Sequence, residues 1–217
     1  MRSRGQIVLG VLALVGALAM PSRIDAATVA LQSFSGGVNA TSGSDQLYGW
    51  VFDVLTSVDV TALGVGDFDS DGLAISHDVG IFRQSDQSLL ASLTIPGGTS
   101  ATLLNGFRYL SLGSSVLLSP DRYVIAMTMP SGNGDLQSIA NSSVGTAAEI
   151  AYLTSAFDGG SSLAFPNSSF NGAFAEGMFG PNFQFDSAAV PEPASLLLFG
   201  SGVVTVLVRR RRGTRQV

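Results

Sequence analysis

From residue 47 to residue 129 the chain alternates short apolar runs with clusters of turn-forming residues. Residues 47–54 read LYGWVFDV and residues 58–65 read VDVTALGV; shorter runs follow at 79–82, 89–95, 107–112, 116–118 and 122–129. Between them lie SDQS, PGGTS, LGSS and PSGNGD, rich in residues that supply positive φ or hydrogen-bond their own backbone and so punctuate strands. Runs this short, rich in β-branched and aromatic residues, predict an all-β domain. Their regular spacing predicts a β-sandwich of the jelly-roll or immunoglobulin-like type, with a barrel-like closure as the alternative. Residues 122–129, RYVIAMTM, are nearly all apolar and predict a strand covered on both faces. Tyr48, Trp50 and Phe52 share parity, so they fall on one face of a strand. Three large side chains on one face predict core packing over a sugar-stacking platform. Residues 156–181, rich in Gly, Asn, Ser and Phe, predict long loops with at most one or two strands.

Both ends of the chain break this texture. Arg2 and Arg4 precede fourteen uncharged apolar or small residues, Ile7 to Met20, then Pro21 and the small pair Ala26–Ala27. A basic start, an apolar stretch and a small-residue exit predict a signal peptide over 1–26. That stretch is shorter than the ~20 residues a comfortable membrane span needs, so an uncleaved anchor is the lesser reading. At the other end, Pro191, Glu192 and Pro193 lead into fifteen uncharged residues, 194–208, and then Arg209, Arg210, Arg211 and Arg212. Pro193 suits the first turn of a helix, where its missing N–H costs nothing. A helix from 193 to 208 is about 24 Å long at ~1.5 Å per residue, and snorkelling arginine stems make up the shortfall against the bilayer. This predicts a transmembrane helix over 194–208, with the arginine cluster kept cytoplasmic as a stop-transfer signal and everything upstream outside.

The order and spacing of Pro191-Glu192-Pro193, a short apolar helix and a terminal arginine cluster resemble the PEP-CTERM sorting signal. The resemblance covers residues 190–217. It implies a Gram-negative bacterium that makes an extracellular polysaccharide, export across the inner membrane, and transient anchoring before release to the surface or medium. It also implies recognition by an exosortase, with cleavage near the Pro-Glu-Pro triplet. Within the middle domain, 27–189, residues 61–82 and 89–112 resemble an uncharacterised β-sandwich domain recurring in PEP-CTERM proteins. The matching positions are Asp71-Gly72-Leu73, His77, Val79-Gly80-Ile81 and Gly106-Phe107-Arg108-Tyr109. No activity comes with that likeness.

Charge narrows the partners. Between Thr28 and Val190 only Arg83, Arg108 and Arg122 are basic, against fourteen acidic residues from Asp45 to Asp186. Three minus fourteen leaves −11 with His77 neutral, which repels phosphate backbones and excludes nucleic acid as a partner. The chain has no cysteine, which fits an oxidising compartment without requiring it.

One cluster has ligand spacing. Asp67, Asp69 and Asp71 alternate, Gly72 follows, and Asp78 lies eleven residues after Asp67. This is the spacing of an EF-hand calcium loop with Asp in place of the final Glu; the competing reading is a solvated acidic turn. His77 is the lone histidine. Its neighbour Asp78 points to the opposite face of a strand, and no G-x-S-x-G elbow occurs, so His77 is expected to be structural, bonded to a loop carbonyl. Glu149 and Glu176 lack the context of a glycosidase pair. The expected function is non-enzymatic: a surface or matrix protein with a structural or adhesive role in a polysaccharide matrix. A calcium-dependent carbohydrate-binding module is the alternative, and a hydrolase the third.

Overall fold

The computed structural model describes residues 27–168 and 177–188. Among them every regular element is a strand, as the β-branched and aromatic runs dictate. In chain order they are β1 (Thr28–Val29), β2 (Leu31–Ser35), β3 (Val38–Ala40), β4 (Gln46–Val54), β5 (Val58–Gly66), β6 (His77–Arg83) and β7 (Leu89–Ile95). Then follow β8 (Thr102–Leu104), β9 (Phe107–Leu118), β10 (Asp121–Met129), β11 (Gln137–Ile139), β12 (Ser143–Thr146), β13 (Ile150–Gly159) and β14 (Pro181–Ser187). Two five-stranded sheets form, ordered β1-β14-β5-β9-β8 and β13-β4-β10-β6-β7. Two small pairs, β11-β3 and β12-β2, complete them.

The principal pairings nest. β1 joins β14, β4 joins β10, β5 joins β9 and β6 joins β7, all antiparallel. The chain is therefore one long hairpin, rolled so that its successive pairs fall alternately in the two sheets. β13 is added on the free side of β4, from Ile150 opposite Val54 to Gly159 opposite Gln46.

The sheets face each other across one core in a sandwich-like, all-β arrangement. Trp50 and Phe52 of β4 are fully buried and meet Phe183 of β14 across the interface, with the Trp50 and Phe183 rings stacked at 6.0 Å. Trp50 Nε1 donates to the Pro181 carbonyl at 2.9 Å, so the polar end of the ring is also satisfied. Tyr48 is buried on the same face. β10 is buried from Tyr123 to Met129. Tyr123, Ile125 and Met127 enter the main core, while Val124 on the other face packs with Val51, Ala156 and Phe165. Phe165 belongs to a strap, residues 160–168, that lies over the outer face of this sheet. Leu163 of the strap rests on Gly80, where a Cβ would stand 2.9 Å from Leu163 Cδ2 and 2.8 Å from Leu89 Cδ1. The glycine makes the room the strap occupies.

The range 156–181, expected to hold long loops with at most one or two strands, contains the end of β13, to Gly159, and the first residue of β14, Pro181, and among the described residues no other named strand. β13 reads IAYLTSAFDG, in which Ile150, Tyr152, Thr154 and Phe157 favour a strand, and the edge of β4 supplies its ladder. β14 does carry alternation, with Phe183 and Phe185 buried, hidden among Asn, Gln and Asp.

Both ends of the domain leave from one place. Thr28 pairs with Phe185 and Ser187 with Val58, so Ala27 and Ala188 exit at the same end of the first sheet. The opposite end, where Pro181 pairs with Val65, runs into the acidic loop that starts at Asp67. The length of β14 puts these ends about 20 Å apart at ~3.4 Å per residue.

Candidate functional site

The acidic loop begins where β5 stops. Asp67 N donates to the Gly106 carbonyl at 2.8 Å, Ser70 N returns to the Asp67 carbonyl at 3.2 Å, and Gly72 N reaches Asp67 Oδ1 at 3.3 Å. Gly72 sits at φ 105°, a backbone angle that glycine adopts without strain. The turn brings Asp67, Asp69 and Asp71 together, with one ligand atom from each within 4.8 Å of the others. Asp67 is buried and the other two are exposed. Asp78 lies outside this group: it is on β6, and its Oδ1 accepts from Thr94 Oγ1 at 2.5 Å. The carboxyl of Asp69 is pushed above the usual range by withdrawal from water, with the charge of Asp71 adding to it against an opposing backbone hydrogen bond.

Asp67 already has a cation. Arg108 Nε donates to Asp67 Oδ2 at 2.6 Å, and both side chains are buried. Arg108 Nη1 also donates to the carbonyls of Thr99 and Ala101, both at 3.3 Å. The pair ties the end of β5 to β9 and to the loop between β7 and β8. Both oxygens of Asp67 are thereby engaged, which leaves Asp69 and Asp71 as the open carboxylates of the cluster.

His77 opens β6 and is fully buried. Its Nδ1 lies 2.7 Å from the Thr128 carbonyl of β10, and its Nε2 lies 2.8 Å from Asp135 Oδ2. Both ring nitrogens face acceptors, so the hydrogen bonds are complete when both carry protons. Asp135, also buried, accepts further from Ala74 N at 2.7 Å and Ile75 N at 3.4 Å. Burial pushes the Asp135 carboxyl up, but the bond from His77, the bonds from these two amides and the charge of His77 outweigh it and leave it below the ordinary value. The carbonyl partner of His77 belongs to a strand, and Asp135, 58 residues away, carries no local signal in the sequence. A ring enclosed in this way has neither a solvent path nor a nitrogen free to serve a serine.

Sequence reasoning also passed over a polar row on the outer face of the second sheet. Asp53 and Arg122 are paired across β4 and β10, with Arg122 Nε and Nη2 donating to the two Asp53 oxygens at 2.7 and 3.2 Å. Gln84 N donates to the Arg122 carbonyl at 3.0 Å, which extends the row to the turn that follows β6.

The signal-peptide segment 1–26, the membrane segment 194–208, Pro191, Glu192, Pro193 and Arg209–Arg212 lie outside the described residues. No helix long and apolar enough to cross a membrane occurs among the described residues. No curated protein matches the chain. Residues 189–212 match the family model described as the PEP-CTERM protein-sorting motif. Such a motif indicates an exosortase as the processing partner and export to the cell surface. The chain therefore carries a PEP-CTERM protein-sorting motif at residues 189–212, directly behind an all-β domain.

Proposed function

We propose that this is a structural or adhesive protein of an extracellular polysaccharide matrix, displayed at the surface of a Gram-negative bacterium. The observation that carries the reading is the sorting motif at 189–212, which starts just after the last strand, β14. The signal peptide starts export, the helix over 194–208 with Arg209–Arg212 stops it, and an exosortase cuts near Pro191-Glu192-Pro193. Ser187 is four residues from Pro191, at most about 14 Å of extended chain. Until cleavage, the end of the domain bearing Ala27 and Ala188 faces the membrane, and the acidic loop is held at the far end. The nested strand pairing supports reading the domain as a jelly roll with β13 appended. Intact-mass measurement on protein released from cells tests the proposal. Released protein should lack residues 1–26 and everything beyond the Pro-Glu-Pro region, and an Arg209–Arg212 tail on that material overturns the reading.

A calcium-dependent carbohydrate-binding role is the second reading, favoured by the meeting of Asp67, Asp69 and Asp71. Calcium takes six to eight oxygens, and two open carboxylates beside a third supply part of that set.

A further inference from the structure

The strap of residues 160–168 covers only part of the second sheet's outer face. Beyond its edge, two adjoining hollows share Gln84 and Arg122. One, of about 240 Å³, is floored by Val51 and Val124 and walled by Leu153 on one side and by Phe165, Pro166 and Asn167 of the strap on the other. The second, of about 700 Å³, continues past Asp53 to Leu55, Pro120 and Asp121. Together they make an open trough along β4 from Val51 to Leu55, about 13 Å at ~3.3 Å per residue.

Three features define what fits. The polar row is built: Arg122 forks onto Asp53, which holds both groups in a plane and leaves Arg122 Nη1 directed at neither Asp53 oxygen. The Gln84 side-chain amide forms no hydrogen bond with another described residue, so a donor and an acceptor stand ready beside the ion pair. The site carries no excess positive charge, since Asp53 is offset by Arg122 while Arg83 is shared between Asp121 at 3.6 Å and Asp86 at 3.4 Å. Val51, Val124, Leu153 and Pro166 supply apolar surface at the same place. Planar polar groups next to aliphatic surface match a ligand with hydroxyl edges and C–H faces, and carboxylates with no unpaired cation beside them select against anions. An open trough admits a chain passing through, whereas a small molecule is better held in an enclosed cavity.

We infer that this trough binds a neutral, hydroxyl-rich glycan chain, with Gln84, Arg122 and Asp53 bonding its hydroxyls and Val51, Val124 and Leu153 under its rings. The inference rests on the matrix reading above and supplies it with a site. The strap acts as a fixed wall: Asn167 N donates to Asp158 Oδ2 at 3.1 Å, Ser168 bridges to Phe157, and Asn167 Oδ1 accepts from Gln87 on the β6–β7 turn at 3.4 Å.

Affinity electrophoresis of the exported protein through gels containing dextran, laminarin or polygalacturonate tests it. Retardation is expected in at least one neutral glycan, dextran or laminarin, with none in polygalacturonate. Gln84→Ala and Leu153→Asp should each weaken that retardation about fivefold to tenfold, the factor carried by one or two net hydrogen bonds or a lost apolar contact. Neither side chain supports the fold, so their melting temperatures should match the parent. Absence of retardation in both neutral glycans overturns the inference, as does retardation indifferent to both substitutions. Localisation and mass of the Gln84→Ala protein are read in parallel. Normal export and trimming with lost retardation supports the trough, whereas retardation by a protein never trimmed or displayed sinks the matrix reading and spares the site.

Discussion

Arg108 reaches across from β9 to hold the buried Asp67 carboxylate at 2.6 Å, placing an internal cation beside the acidic loop. The loop's shape is thus supported from within the protein, and an added ion acts on a turn that is already folded.

Breaking that pair should be costly. Arg108→Leu leaves a buried carboxylate unpaired, and about 3–5 kcal/mol of stability should be lost. The double variant Asp67→Leu with Arg108→Leu should recover most of it. Urea unfolding measures both; a single variant within about 1 kcal/mol of the parent contradicts the burial argument.

The calcium reading makes a different prediction. An ion that binds only the folded domain stabilises it by about 2.7 kcal/mol at a hundredfold excess over its dissociation constant. That corresponds to a rise in melting temperature of roughly 5–11 °C for a domain of this size. Asp69→Asn should abolish the rise, and Asp78→Asn should leave it intact, because Asp78 is engaged by Thr94 outside the cluster. Asp69 has a raised carboxyl value in the fold, so its ionisation opposes folding above the unfolded value. Without the ion, Asp69→Asn should therefore melt no lower than the parent at neutral pH. Melting indifferent to both millimolar calcium and chelator reduces the loop to a solvated turn.

Acid should act through Asp135. Its carboxyl value is lowered in the fold, so it contributes stability that is fully present above the unfolded value of about 3.9 and is lost as pH falls through the folded value. Asp135→Asn should lower stability at pH 7 and flatten the dependence below about pH 4. Parallel acid profiles for the two proteins would show that His77 and its amide neighbours do not hold this carboxylate.

β14 is fastened by a side chain that imitates a strand. Asn182 Oδ1 accepts from Leu31 N, and its Nδ2 donates to the Leu31 carbonyl, both at 3.0 Å. Asn182→Ala leaves both main-chain groups unpaired in the core and should cost about 1–3 kcal/mol. Phe183→Ala, which empties the space against Trp50 and Phe52, should cost about 3–5 kcal/mol. Chemical denaturation distinguishes the two, and an effect below 1 kcal/mol in both would mean that β14 is not integral to the sheet.

The stop-transfer role of the tail is tested by replacing Arg209–Arg212 with Ser. Removing the charges that resist translocation should let the tail cross, so that it becomes accessible to protease on spheroplasts. A tail still protected after the change rules out the arginine cluster as the stop.

Linear order alone was enough wherever the physics acts along the chain. The sorting segment is legible because its parts, Pro-Glu-Pro, an apolar run and arginines, work in sequence. Most strands from 47 to 129 are legible because side-chain parity and turn residues are local signals; LGSS, read as a turn between 107–112 and 116–118, instead lies within the single strand β9, where the pairing with β5 shifts register. Clustering of Asp67, Asp69 and Asp71 is legible for the same reason, since one tight turn gathers them. Tertiary structure decided what pairs across distance. The partners of His77 and Asp67 lie 58 and 41 residues away, on elements joined only by the nested hairpin. β13 finds its ladder on the edge of β4, and the row of Asp53, Arg122 and Gln84 exists because register aligns β4, β10 and the turn that follows β6. Burial and register are properties of neighbours in space, and the order of residues along one strand does not contain them.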